Sequence, residues 1–186
     1  MLKKDELILV DEDDYELGFA SKLEIHQKGL LHRAFSILIF NSKGEFLIHQ
    51  RTEKKYHSPN LWTNTCCSHP NKGETTEKAA HRRLKEEMGF DCNLNFAYKF
   101  IYKTDQATVG FENNLIEHEL DYVYLGEYNQ DPHPNPDEIL DFKWISLSDL
   151  RNDILKSPEK YTFWFKLIIQ DHLKSFYFPN KRNPII

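Results

Sequence analysis

The sequence predicts a single α+β domain in which helices pack against a mixed central sheet. Its 186 residues fit one compact core. Runs typical of strands come first, followed by a helical segment, further strands and two more helical segments, and this order favours helices packed on one sheet. No internal repeat, low-complexity segment or linker interrupts the sequence. One domain is therefore expected to span the chain.

The first half of the chain predicts two strands, a turn and a helix. The strands cover residues 34–40 and 45–50, joined by an Asn-Ser-Lys-Gly turn at residues 41–44. A helix is predicted over residues 74–88. Its apolar stripe recurs every four residues, at Ala80, Leu84 and Met88. Gly89 follows at the position where a left-handed C-terminal cap is expected.

The second half of the chain predicts three more strands and two helices. The strands cover residues 94–102, 115–125 and 139–145. A polar, proline-rich loop at residues 129–137 separates the last two. The first helix begins at Ser146 or Ser148, whose side-chain oxygen can cap it. The second covers residues 158–176. Its apolar face carries Trp164, Leu167 and Ile168.

Composition narrows the class of protein. Hydrophobic residues make up 40%, charged residues 28%, and the net charge is −5, so no nucleic-acid partner is expected and any anion site must be local. The first residues lack the apolar region of a signal peptide, and the longest apolar run is too short to span a bilayer. We expect a cytoplasmic protein with three free thiols and no membrane partner. The composition is compatible with a monomer and predicts no oligomeric state.

The densest chemical signal lies in residues 61–73, where Cys67 and His69 stand two positions apart just before the predicted helix. A second signal is the pair Glu117 and Glu119, which the period of two of a strand directs to one face. The alternative interpretation of this pair is two solvated charges on an exposed sheet face.

Histidines supply a third signal. His26 and His32 flank a short segment near the N-terminus, where surface positions are the simpler interpretation. Together with His69 and the two glutamates, however, they form a nitrogen and oxygen set suited to a first-row divalent metal. The carboxylates favour manganese or magnesium.

Residues 82–90 resemble the end of the Nudix box, the diphosphate-binding signature of the Nudix superfamily. Glu74 falls on the early glutamate of that box, whereas Ser68 stands at its first glycine. Arg83 replaces a glutamate that Nudix hydrolases use near their metal. This exchange weakens a multi-metal hydrolytic site and adds a donor for a phosphate oxygen.

Two glutamates of this helix are candidate magnesium ligands, Glu86 and Glu87. Each lies four residues after an arginine, because Arg82 precedes Glu86 and Arg83 precedes Glu87. The alternative interpretation is therefore a pair of weak surface ion pairs.

Five segments in order together resemble type I isopentenyl diphosphate isomerases. They are residues 22–26, 29–35, 64–70, the altered Nudix box and residues 117–119. The resemblance implies an α/β/α-type Nudix fold in one domain over residues 1–186, with residues 1–30 or so contributing ligands. It also implies that the protein moves a double bond between isopentenyl and dimethylallyl diphosphate by protonation and deprotonation, in isoprenoid biosynthesis.

The resemblance assigns roles to particular residues. The ligands of one metal, Mn²⁺ or another divalent ion such as Zn²⁺ or Mg²⁺, would be His26, His32, His69, Glu117 and Glu119. Glu87 and the Cys67 carbonyl would hold Mg²⁺ on the substrate diphosphate. The contacts to that diphosphate would be Lys22, Arg51, Lys55 and Arg83, with Ser68 near the substrate.

The same resemblance implies that Cys67 and Glu119 bracket the substrate as acid and base, with Tyr102 hydrogen-bonded to the carboxylate. Which of them delivers the first proton stays open. Trp164 would stabilise the carbocation through its π face. Periodicity alone equally predicts a core tryptophan at this position.

Two other functions share some of these features. A Nudix diphosphate hydrolase would use the same fold and magnesium, but Arg83 disfavours it and hydrolysis does not require Cys67. A non-catalytic metal- or diphosphate-binding module would explain the histidines. It would not explain why a thiol and a carboxylate stand beside a phosphate site.

Overall fold

The computed structural model describes residues 6–55, 57–104 and 115–172. Within these ranges nine strands form one sheet: β1 Glu6–Val10, β2 Glu16–Ser21, β3 His32–Phe40, β4 Glu45–Arg51, β5 Trp62–Thr63, β6 Cys66–Ser68, β7 Leu94–Thr104, β8 Glu117–Glu127 and β9 Ile139–Ser146. The α-helices are α1 Lys22–Lys28, α2 Thr76–Met88, α3 Leu147–Lys156 and α4 Phe163–Leu167.

The sheet is mixed, as predicted. Its central path runs β2-β1-β3-β4-β5, with β6 and β8 also paired to β3, β7 paired to β8 and β9 paired to β4. The β3–β8 pair is parallel, and the other pairs of named strands are antiparallel. Strand β3 therefore contacts four other strands, and the predicted site residues lie on or beside it.

Helices cover both faces of the sheet, which confirms the α/β/α arrangement. Successive side chains of β4 point to opposite faces: Phe46 and Ile48 pack in one buried cluster, and Leu47 packs in another. The first cluster contains α3 and α4 side chains such as Leu150. The second contains the α2 stripe around Leu84. The strand period of two thus divides the core into two layers.

The predicted hairpin and the helix α2 are confirmed. Strands β3 and β4 pair antiparallel, and Gly44 in their turn has a positive φ of 79°. Helix α2 begins two residues later than predicted, because the Thr75 side chain accepts a hydrogen bond from the Lys78 amide and caps the helix. It ends at Gly89, whose φ of 75° is left-handed, as predicted.

The predicted continuous helix at residues 158–176 is wrong over its described part. A 3₁₀ turn, Pro158–Lys160, is followed by a break, then by α4 and a π-helical turn, Ile168–His172. The break arises because Tyr161 bridges to Trp62 and the Thr162 amide donates to the Trp62 carbonyl oxygen at 3.0 Å. Residues 173–176 of the prediction lie outside the described residues.

The N-terminal elements β1, β2 and α1 were not predicted. Helix α1 is short and well capped, by the Ser21 hydroxyl at its start and by Gly29, with a φ of 61°, at its end. The three cysteines are free thiols, as expected. Across the described ranges, no helix is long and apolar enough to cross a membrane.

Candidate active site

The five predicted metal ligands converge at the N-terminal end of β3. His32 begins this strand, and the parallel pairing sets it opposite Glu119 of β8. Glu117 lies two residues earlier on the same face of β8. His69 follows β6, which also pairs with β3, and His26 comes from α1. The fold therefore gathers ligands from four separate segments.

The distances between these side chains fit a single divalent cation. His26 Nε2 lies 3.3 Å from Glu117 Oε2, and His69 Nε2 lies 3.0 Å from Glu119 Oε1. His32 Nε2 lies 3.2 Å from His69 Nε2. Two donor atoms at right angles around an ion, each about 2.1 Å from it, are about 3.0 Å apart. The spacing between neighbouring donors is therefore close to that of a coordination sphere.

Two histidines are oriented by backbone carbonyls. His26 Nδ1 lies 2.6 Å from the Lys22 carbonyl oxygen, and His32 Nδ1 lies 3.0 Å from that of Leu30. In a metal-bound state, a proton on each Nδ1 would donate to the carbonyl and leave the Nε2 lone pair for the ion.

Glu117 supplies the strongest indication of a cation. Its side chain is buried, and neither carboxylate oxygen accepts a hydrogen bond from any described residue. A buried carboxylate needs a compensating charge. Glu119 is only 9% exposed, so the interpretation of these glutamates as solvated charges is wrong. The residues present fit a divalent cation.

Glu119 is also tied to Tyr102 on the neighbouring strand. The two residues are paired in the β7–β8 register, and the Tyr102 hydroxyl donates to Glu119 Oε2 at 2.6 Å. Burial favours protonation of Glu119, but hydrogen bonds from His32 and His69 outweigh it and hold the Glu119 pKa well below its usual value. Burial and the Glu119 charge raise the pKa of Tyr102, which stays a donor.

Cys67 lies on β6, paired with Ser36 of β3. Burial raises the pKa of its thiol to about 11, although the nearby Arg51 guanidinium lowers it, with Arg51 Nη1 3.7 Å from the sulfur. The thiol therefore holds its proton near neutral pH. Its neighbour Cys66 points to the opposite face and packs in the α2 cluster. Strand alternation thus separates a site cysteine from a core cysteine.

One cavity of about 340 Å³ joins the predicted catalytic and substrate-binding residues. Its wall includes the predicted residues Lys22, Arg51, Lys55, Cys67, Ser68, His69, Arg83, Glu87, Tyr102, Glu119 and Trp164. The remaining three, His26, His32 and Glu117, are buried at the cluster just described. The structure therefore brings together every residue to which the family resemblance assigned a role.

Two basic side chains of the cavity wall, Lys55 and Arg83, are already paired with carboxylates. Lys55 and Arg83 both pair with Glu138, the latter at 3.1 Å. Arg83 also pairs with Glu86 at 2.8 Å and with Glu87. The predicted ion pairing within α2 is therefore present, but Arg83 and Glu87 line the cavity rather than a simple surface. Glu86 does not line it.

Arg82 behaves differently from its neighbour Arg83. Its bonds to Glu74 are 2.8 Å long, and its contact with Glu86 is longer, at 3.3 Å. Arg82 does not line the cavity. The surface interpretation is therefore right for the Arg82–Glu86 pair.

Trp164 belongs both to the core and to the cavity wall. It is 3% exposed and packs in the cluster of α3 and α4. Its Nε1 atom donates to Thr63 Oγ1 at 3.1 Å. The guanidinium carbon of Arg51 lies 5.6 Å from its ring centre. Both interpretations of this tryptophan are compatible with its position.

Four cavity residues were missed by the sequence argument, and two of them, His57 and Glu138, contact predicted site residues directly. His57 is buried, and its Nε2 atom lies 3.2 Å from Glu117 Oε1. Burial, together with the charges of Arg51 and Lys22, lowers the His57 pKa well below its usual value, so the imidazole is neutral. Both residues lie in or beside loops without periodicity. Their residue type was the only available signal.

Comparison with known proteins identifies the family. The NUDIX domain model matches residues 30–165. A relative from Photorhabdus laumondii, named isopentenyl-diphosphate Delta-isomerase 2, is 52% identical over 163 residues, covering 88% of this chain and 89% of the relative. An isopentenyl-diphosphate Delta-isomerase from Serratia proteamaculans is 48% identical over 165 residues, covering 89% of each chain. The chain belongs to the isopentenyl-diphosphate Delta-isomerase family.

Solved structures show the same fold as this isomerase family member. A crystallised Deinococcus radiodurans protein gives a TM-score of 0.71 at 21% identity, covering 88% of this chain and 97% of that one. A MutT NUDIX hydrolase from Burkholderia pseudomallei gives 0.57 at 20% identity, covering 75% and 95%. These likenesses establish the fold alone. The predicted family and fold are confirmed, and the hydrolase and binding-module alternatives are not favoured.

Proposed function

We propose that this protein interconverts isopentenyl diphosphate and dimethylallyl diphosphate in isoprenoid biosynthesis. The observation that carries the proposal is that a protonated thiol, Cys67, and an ionised carboxylate, Glu119, line one cavity that also contains cationic side chains. Hydrolysis of a diphosphate needs no such thiol. Moving a double bond needs both an acid and a base.

The reaction follows from the chemistry of the alkene. A proton adds to the terminal carbon of the double bond, and the electron pair of that bond forms the new C–H bond. The positive charge then lies on the tertiary carbon. Loss of a proton from the neighbouring carbon regenerates a double bond one position along. The numbers of atoms and charges are unchanged.

Cys67 and Glu119 are proposed as the acid and base. In the ionisation state described above, the thiol holds a proton and the carboxylate can accept one. Because the reaction is reversible, each group acts as acid in one direction and as base in the other. Tyr102 positions the Glu119 carboxylate through its hydrogen bond.

Trp164 is proposed to face the carbocation. A cation over a desolvated indole ring is stabilised by about 2 kcal/mol or more. Burial of the ring also limits the access of water that would quench the cation. The diphosphate would lie at the other end of the cavity. There its contacts would be Lys22, Arg51, Lys55, Arg83 and Ser68.

We propose two binding sites for divalent ions. The cluster of three histidines with Glu117 and Glu119 would hold Mn²⁺, or another ion such as Zn²⁺ or Mg²⁺, and would keep Glu119 ionised and oriented. Glu87 and the Cys67 carbonyl would hold Mg²⁺ against the diphosphate. Glu87 is 1% exposed and lines the cavity, which suits this role.

We further infer that residues 1–186 act as one isomerase domain in the cytoplasm, with a small diphosphate as partner and neither nucleic acid nor membrane. The NUDIX match begins at residue 30, yet Lys22 and His26 lie before it and reach the site. The N-terminal segment is thus expected to be essential. Its removal should abolish turnover.

The test is direct. The purified protein is incubated with isopentenyl diphosphate and Mg²⁺, and the products are separated. Dimethylallyl diphosphate is the expected product, in equilibrium with the substrate. Release of phosphate without any allylic product would contradict the isomerase and favour a Nudix hydrolase.

A further inference from the structure

A fourth imidazole stands beside the proposed cation cluster. His57 lies in the loop between β4 and β5 and is 7% exposed. Its ring stacks on that of His26, with ring centres 5.6 Å apart and an angle of 24° between the planes. His57, His26 and Glu117 each offer a ligand atom, and these atoms lie within 4.8 Å of one another.

The Glu117 carboxylate is flanked on both sides. Oε2 lies 3.3 Å from His26 Nε2, and Oε1 lies 3.2 Å from His57 Nε2. Neither Glu117 oxygen has a hydrogen bond of good geometry from a described residue, and each lies at ion-pair distance from a histidine Nε2 atom. The two spacings are nearly equal, and both are close to the separation of about 3.0 Å between neighbouring ligand atoms of a divalent ion.

The loop holds His57 in this position. Arg51 Nη2 donates to the His57 carbonyl oxygen and Arg51 Nε to that of Ser58, both at 3.1 Å. Ser58 has a left-handed φ of 49°. The His57 ring also packs edge-on against Trp164, with centres 6.0 Å apart. A ligand fixed in this way loses little conformational freedom when it binds an ion.

We propose that His57 is an additional ligand of the cation cluster, which then has four imidazole donors beside its carboxylates. This inference rests on the proposed cation cluster and extends its ligand set. The His57 backbone carbonyl also accepts a hydrogen bond from Arg51, a proposed diphosphate contact. A fourth imidazole should favour metals that prefer nitrogen ligands, such as Zn²⁺ or Ni²⁺, over Mg²⁺.

The test uses Mn²⁺ binding and its spectrum, which do not depend on turnover. Wild type, His57→Gln and His57→Ala are titrated with Mn²⁺, and free Mn²⁺ is measured by electron paramagnetic resonance. His81→Gln is the matched control, since His81 pairs with Asp91 on the outer side of α2. Pulsed resonance then detects the nitrogen nuclei coupled to the bound ion.

We expect His57→Ala to weaken Mn²⁺ binding by at least about tenfold, the lower limit for losing even an indirect partner of a metal site. Added imidazole should restore most of this loss by entering the vacated space. His57→Gln should keep its fold and lose one nitrogen coupling. The His81→Gln variant should bind and couple like the wild type.

Two results would overturn the inference while leaving the proposed function intact. One is wild-type Mn²⁺ affinity in both His57 variants. The other is weaker binding in His57→Ala that imidazole does not restore, together with an unchanged nitrogen coupling in His57→Gln, because His57 would then act only through packing. If the wild type isomerises its substrate but binds no divalent ion at the cluster, the cluster assignment itself fails.

Discussion

The two ends of the candidate site, the buried cation cluster and the part of the cavity lined by Lys55 and Arg83, differ in how their charges are balanced. At the cation end, the buried Glu117 carboxylate accepts no hydrogen bond from a described residue, and histidine nitrogens face it. At the phosphate end, Lys55 and Arg83 are already paired with Glu138. A divalent ion at the proposed site would balance the charge of the first end. At the second end, a diphosphate would compete with Glu138 for these two cations.

This difference indicates how each end should respond to change. Removing a ligand at the cation end leaves the other buried groups uncompensated, and such losses are large. At the phosphate end, the substrate and the Glu138 carboxylate compete for the same basic side chains, so removing one of these groups changes the strength of that competition. Partly exposed pairs contribute little, so those effects should be smaller.

The largest effect is expected for Glu117→Gln. The neutral amide cannot balance the charge of the ion, so metal affinity should fall by more than about 100-fold, beyond the range for indirect partners. Turnover should fall with it, because Glu119 loses its orientation. Elemental analysis measures the metal content, and a product assay measures turnover. Glu127→Gln, at the exposed far end of β8, should keep its metal and activity. A Glu117→Gln protein with normal metal content would contradict the ligand assignment.

Cys67→Ala should separate proton transfer from metal binding. Its metal content should stay normal, because the proposed ligand at this residue is the backbone carbonyl. Isomerisation should fall by at least about 100-fold, the lower range for a positioned proton donor. Cys92→Ala is the control, since Cys92 packs against the α2 cluster and does not line the cavity. Comparable rates in the two variants would remove Cys67 from the chemistry.

Arg83→Gln tests the phosphate end. A charge-assisted hydrogen bond contributes about 1.5–3 kcal/mol, so KM should rise about 10- to 150-fold if this bond is made to the bound substrate. Arg82→Gln is the matched control on the same helix, because Arg82 pairs with Glu74 outside the cavity. Steady-state kinetics distinguish the two. An unchanged KM in Arg83→Gln would return this arginine to simple ion pairing.

The smallest effect is expected for Glu138→Gln. Its carboxylate competes with the substrate for Lys55 and Arg83, so its removal should lower KM, by up to about fivefold for a partly exposed pair. Asp141→Asn, exposed on β9, should leave KM unchanged. A higher KM in Glu138→Gln would mean that the carboxylate helps to hold the substrate, and the contrast between the two ends would weaken.

Much of the fold could be predicted from periodicity and capping. Leu84 and Met88 defined the buried stripe of α2, and Gly89 fixed its end. The N-terminal strands β1 and β2 were not predicted, because short segments carry a weak periodic signal. The break at Thr162 depends on a hydrogen bond to Trp62, about 100 residues away, and no local pattern encodes such a contact.

The residues of the candidate site could likewise be predicted only in part. Strand alternation alone placed Glu117 and Glu119 on one face, and the five-segment resemblance supplied most of the remaining residues. His57 and Glu138 were missed because their contacts are made only by the folded chain. Glu138 meets Arg83 55 residues away in sequence, and His57 meets Glu117 across the sheet.

The most direct test of the account is the fate of hydrogen in heavy water. An acid and a base acting through a protonated alkene should load solvent deuterium onto carbon, whereas diphosphate hydrolysis places none there. We predict that the wild type with Mg²⁺ yields deuterated dimethylallyl diphosphate and releases neither phosphate nor diphosphate, and that Cys67→Ala loses this incorporation. Phosphate release with no deuterated allylic product would contradict the isomerase account.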